Sequence, residues 1–91
     1  MAMIAVWLKV EEDRALQALE TAEGKLDGSE GEVVLDFSSV RRIDPDILRA
    51  MENLAGVADG KNVRIVLRGV NVDIYKVLKM VKLTTRFSFV T

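Results

Sequence analysis

Apolar residues along this chain follow two spacings, every second position in short runs and every third or fourth in longer ones. Residues 3–10 alternate. Ile4, Val6, Leu8 and Val10 share one face, and Met3, Ala5, Trp7 and Lys9 share the other, which predicts a strand. The first set is expected to face the core. Trp7 and Met3 make the second face partly apolar, and a covering helix is the expected reason, with a partner contact as the alternative.

Residues 11–25 switch to helical spacing. Glu11, Glu12 and Asp13 sit where a helix dipole favours negative charge, and Ala15, Leu16, Ala18, Leu19 and Ala22 form the apolar stripe, which Leu26 can close. Gly24 and then residues 27–31 (DGSEG) end the helix in a loop. Residues 32–37 give the clearest strand. Val33, Val34 and Leu35 run without alternation, as expected of a central strand covered on both faces.

Residues 38–43 form the next loop, and residues 44–58 a second helix. Its apolar positions are Ile47, Leu48, Met51, Leu54, Ala55 and Ala58. Gly56 inside this helix suggests a close approach to a neighbouring element, because glycine there costs roughly 1 kcal/mol relative to alanine. Residues 63–68 alternate again, with Val63, Ile65 and Leu67 against Arg64, Val66 and Arg68. One wet face of this kind suggests a place near a sheet edge. Residues 69–71 turn the chain.

A third helix is predicted over residues 72–83, with Ile74, Val77, Leu78 and Val81 inward and Lys76, Lys79 and Lys82 outward. Residues 86–90 make a last strand with Phe87 and Phe89 on one face. The order β-α-β-α-β-α-β predicts a single α/β domain over residues 1–91. Its four-stranded, mostly parallel sheet would have helix-covered faces.

Composition narrows the chemistry. The 91 residues carry 13 basic and 14 acidic side chains, a net charge of -1, which gives no electrostatic reason for nucleic acid or anionic lipid as the main partner. Cysteine and histidine are both absent. Disulfides, thiolate chemistry, the commonest transition-metal ligand and the usual proton shuttle near neutral pH are therefore excluded. No apolar run approaches the ~20 residues of a membrane span, and the N-terminus lacks a basic region and a clear cleavage site. A soluble cytoplasmic protein, without cofactor or metal, is expected.

The most informative stretch is residues 36–48, DFSSVRRIDPDIL. Pro45 disfavours helical angles at Asp44, so Asp44 fits the N-cap and Pro45 the first helical position. Asp46 then lies in the positive end of the dipole, where an acid is worth ~0.3–1 kcal/mol. Capping alone explains both acids. Arg41 and Arg42 read as a solvated pair balancing Asp44 and Asp46, or else as charges that fix a partner's register. Ser38 and Ser39 read as turn residues, with phosphoacceptors as the alternative.

With this order in place, the chain from about residue 32 to residue 90 resembles a STAS domain, the fold of bacterial anti-sigma-factor antagonists. Residues 33–40 (VVLDFSSV) resemble the family's strand ending in Asp-Leu-Ser. Residues 43–48 (IDPDIL) sit where it has Ile-Asp-Ser-Ser-Gly-Leu. Residues 77–83 (VLKMVKL), followed by Phe87, resemble its closing helix and strand.

Two departures stand out. The family opens with two strands before its first helix, and this chain has room for one. Asp46 stands where the family has its phosphorylated Ser, and Ile47 replaces its Gly.

The resemblance implies a non-catalytic protein-interaction module. Asp46 would act as a fixed mimic of phosphoserine, with one negative charge against about −1.5 to −2 for the phosphate. The implied surface is the loop with Ser38, Ser39, Arg41 and Arg42, then Asp44 and the helix face carrying Asp46, Arg49 and Asn53. The implied partner is an anti-sigma-type kinase or another regulatory assembly. A small cytoplasmic subunit of a membrane transporter and a homo-oligomeric scaffold using the Trp7 face are the alternatives.

Enzyme readings fit less well. Asp44-x-Asp46 is similar to the phosphatase motif of haloacid dehalogenases, but that motif directly follows a hydrophobic strand, and the chain is too short for that fold. Asp36, Asp44 and Asp46 could hold Mg²⁺ only if folding brings them together. Residues 28–31 lack the Lys of a phosphate loop. Arg64, Arg68, Lys76, Lys79 and Lys82 have few aromatics with them, against nucleic-acid binding.

Overall fold

A computed structural model describes residues 6–26 and 31–90. The predicted positions 3–5 of the first strand and the loop at 27–30 lie outside the described residues. The elements are β1 (Val6–Glu11), a 3₁₀ turn (Glu12–Arg14), α1 (Ala15–Lys25), β2 (Glu32–Ser39), α2 (Pro45–Gly60), β3 (Arg64–Arg68), α3 (Val72–Met80) and β4 (Ser88–Val90). This is the predicted α/β order with four strands and three helices.

The strands pair in chain order, β1-β2-β3-β4, and every pair is parallel. A crossover between adjacent parallel strands is almost always right-handed, so sequential order sends every connecting helix to the same face of the sheet. The core follows that rule. One apolar cluster joins Val10, Val33, Leu35, Phe37, Ile65 and Leu67 of the sheet to all three helices. From the helices come Leu19 and Ala22 of α1, Met51 and Leu54 of α2, and Ile74 and Leu78 of α3. Each large side chain buried in this way contributes about 1.5–3 kcal/mol relative to exposure.

Sequential order also corrects the expectation of helices on both faces. The opposite face of the sheet carries rows of register partners, Trp7–Val34–Val66–Ser88 and Lys9–Asp36–Arg68–Val90. Among the described residues no helix covers it. Trp7 remains 58% exposed, with the Arg68 guanidinium carbon 5.6 Å from its ring centroid, so the covering helix predicted for Trp7 is absent there. Val34 and Val66 are buried all the same, between ion pairs Arg64–Glu32 at 3.9 Å and Arg68–Asp36 at 3.8 Å. Long charged side chains cover apolar surface with their stems. The alternation in β3 is as predicted, but β3 is a central strand, because the wet face belongs to the whole sheet.

Four local expectations change. Leu16, placed in the α1 stripe, is exposed on the α1 side that faces α2 across a groove. The helical part of α1 begins at Ala15, because Glu12–Arg14 form a tighter 3₁₀ turn. α3 stops at Met80, two residues before Lys82 takes a left-handed φ of 63°, and Val81 lies exposed beyond the helix. Gly56 marks no close approach, since a Cβ there would meet nothing within 4 Å.

Candidate interaction site

The carboxyl ends of β1, β2 and β3 bring three segments together: the 3₁₀ turn, the loop at residues 40–44 and the turn into α3. Open α/β sheets place binding surfaces at this edge.

The loop is held by side chains from both neighbours. Asp36 Oδ1 accepts the backbone N–H of Ser38 at 2.9 Å, and Val40 N–H closes a turn on Phe37 O at 2.9 Å. Phe37 and Val40 are buried beneath, while Ser38 and Ser39 are exposed. From one side Glu12 Oε1 accepts the N–H groups of Arg41 at 2.9 Å and Arg42 at 3.1 Å. From the other, Asn71 Nδ2 donates to Arg41 O at 3.0 Å and Val40 O at 3.4 Å. The same Asn71 caps α3, accepting Ile74 N–H on Oδ1 at 2.8 Å. Gly69 runs against Ser38 so closely that an added Cβ would lie 2.9 Å from Ser38 Cβ.

Two carboxyls here are held below their usual range. For Glu12 the chief cause is the N–H of Arg41, then that of Arg42, with the two guanidinium charges adding to both. For Asp36 it is the Ser38 hydroxyl, then the Ser38 N–H, with Arg68 and Lys9 contributing.

Asp44 is the N-cap of α2 as predicted, with Oδ1 accepting Ile47 N–H at 2.9 Å and Pro45 in the first turn. Asp46 makes no cap bond. It pairs with Arg49 one turn on, at 3.7 Å, both side chains being 74% exposed. Such an exposed pair contributes little to stability, ~0–1 kcal/mol. Arg41 and Arg42 are exposed and form no ion pair with either aspartate. They line a small hollow of about 60 Å³ with Ile43 and the α3 residues Asp73, Ile74 and Val77.

The eight predicted surface residues therefore divide. Asp46, Arg49 and Asn53 open onto a groove of about 260 Å³ between α1 and α2, opposite Leu16, Glu20 and Glu23. Ser38 and Ser39, expected as turn residues of the loop, are instead the last two residues of β2, with Ser39 paired to Glu11, and Arg41 and Arg42 lie toward α3. Asp44 is committed to its cap. Sequence reasoning read Glu12 as a dipole partner and missed its clamp on the loop. It also missed Asn71, although an Asn before a helical run is a recognised cap signal.

Chemically, the site presents fixed charge and a shallow groove. Among the described residues no three acidic side chains come together to hold a metal ion, so Asp36, Asp44 and Asp46 do not converge. No helix among them is long and apolar enough to cross a membrane.

A family model described as "Mlab, STAS domain" matches residues 8–90. The chain belongs to the STAS family. Two solved structures share its fold. The solution structure of the protein TM1081 is 16% identical, with a TM-score of 0.77, over 94% of this chain and 73% of that one. The crystal structure of TM1081 from Thermotoga maritima, a protein proposed to be an anti-sigma factor antagonist, is 18% identical, with a TM-score of 0.76, over 97% and 81%. No curated protein matches the sequence closely enough to be significant.

Proposed function

We propose that this chain is a non-catalytic module of a bacterial cytoplasmic assembly. It would bind an anti-sigma-type kinase or a related regulatory protein through residues 38–43 and the outer face of α2. The observation that carries the proposal is the placement of Asp46. It is exposed at the second position of α2, makes no cap bond, and opens onto the α1–α2 groove beside Arg49 and Asn53. In family terms this is the position of the phosphorylated Ser. Asp46 supplies negative charge there permanently, in the field of the helix N-terminus.

Binding is favoured by rigidity as well as charge. The loop is held by Glu12 and Asn71, so little backbone entropy is lost when a partner docks. Ser38, Ser39, Arg41 and Arg42 would rim the contact and set its register, with Asp44 supporting it through the cap.

A second reading is a standing subunit of a membrane transporter. The permanence of the Asp46 charge favours it, because a constitutive subunit needs no phosphoryl switch. A crosslinked pull-down from the source organism's lysate, comparing wild type with Asp46→Lys, separates the readings. Recovery of a kinase or transcription regulator by wild type only supports the first. Recovery of an ATPase or permease moves the assignment to the second. Identical partners in both samples place the binding face elsewhere.

A further inference from the structure

Five of the exposed large apolar side chains belong to α3, the residue after it and β4. Val72 is 68% exposed and Met80 81%, with Tyr75, Val81 and Val90 exposed as well. Val72, Tyr75, Lys76 and Lys79 fall at i, i+3, i+4 and i+7, so they share one outward face of α3, while Ile74 and Leu78 are buried on the other. A surface helix normally presents polar residues outward, and this one presents a mixed apolar and basic face.

Beside that face lies a groove of about 270 Å³, lined by Val70, Asn71, Val72, Tyr75, Phe89 and Val90. Tyr75 and Phe89 meet edge to face, ring centroids 5.2 Å apart, and fix one wall. The outer edge of β4 has no strand neighbour among the described residues. Lys76, Lys79 and Lys82 enter no ion pair among the described residues, and Asp73 is the one acid of α3.

We propose that the α3–β4 face is a second docking surface, separate from α2, for an acidic segment of a partner protein. A bulky apolar side chain of that segment enters the Val72–Tyr75–Phe89–Val90 groove, and carboxylates beside it lie over Lys76 and Lys79. The groove favours this occupant over a lipid surface, since it receives one anchoring side chain. Charge selects an acidic flank.

The test is a titration of the ¹⁵N-labelled chain with a synthetic peptide of glutamates around a single central phenylalanine, followed by amide NMR. Amide shifts at Val72, Tyr75, Lys76, Phe89 and Val90 are expected, with roughly tenfold weaker binding in the folded double variant Lys76→Glu/Lys79→Glu. Asp46→Lys should leave this binding unchanged, which keeps the proposal distinct from the α2 surface. No shifts, or an equal response to the same peptide with lysines for glutamates, overturns it. A response only to phosphatidylglycerol vesicles also overturns it, in favour of a membrane contact.

Discussion

Glu12 Oε1 receives the backbone N–H of Arg41 at 2.9 Å across a sequence separation of 29 residues, and so ties the exit of β1 to the loop leading into α2. The loop has no regular structure of its own, and its shape is set by neighbours on either side. That arrangement makes the candidate surface sensitive to residues outside it.

The Glu12 clamp predicts a pH dependence. Both Glu12 and Asp36 are held below their ordinary values of 4.5 and 3.8 in the folded state. Their contribution is fully present above those values and is lost as pH falls through them toward the lower folded values. Thermal unfolding should therefore show a melting temperature that drops below about pH 5, less steeply in Glu12→Gln. An unchanged acid slope in Glu12→Gln would remove the clamp as a cause.

Asp44 and Asp46 should separate cleanly. Asp44→Ala removes the α2 cap and should cost about 1 kcal/mol, or roughly 5 °C in melting temperature. Asp46→Asn breaks an exposed pair and removes a charge from the α2 N-terminus, leaves the cap bond intact, and should change stability by about 1 kcal/mol or less. Denaturant unfolding of the two variants checks both values.

Two glycines should respond in opposite directions to alanine. Gly69 has φ +72° and no room for a Cβ beside Ser38, so Gly69→Ala should destabilise by at least about 2 kcal/mol. Gly56 is helical with open space around it, so Gly56→Ala should stabilise by roughly 0.5–1 kcal/mol. Urea midpoints of the two variants, moving apart from wild type, are the expected result.

Local signals in the sequence carried most of the fold. Helical spacing located α1, α2 and α3, and the Asp44-Pro45 pair located the start of α2 to the residue. Long-range order was not legible in the same way. Val33-Val34-Leu35 looks the same whether a strand is sandwiched by helices or has a second face screened by charged stems, and only the sequential strand order decides. Glu12 and Asn71 act across about thirty residues, and no local pattern shows which backbone groups they meet. The surface residues were placed by family likeness onto one patch. The fold turns Arg41 and Arg42 toward α3 and Asp46 toward α1, because they lie on either side of the α2 N-cap.

The most direct test of the Asp46 surface is the affinity of Asp46→Lys for the protein recovered with wild type, measured by titration calorimetry. Matched melting temperatures would establish that both chains are folded. Loss of at least tenfold in affinity, with Asp46→Glu close to wild type, is the result expected if a permanent negative charge at the head of α2 makes the contact. Equal affinity for wild type and Asp46→Lys would contradict it and leave Asp46 as a residue that only favours its helix.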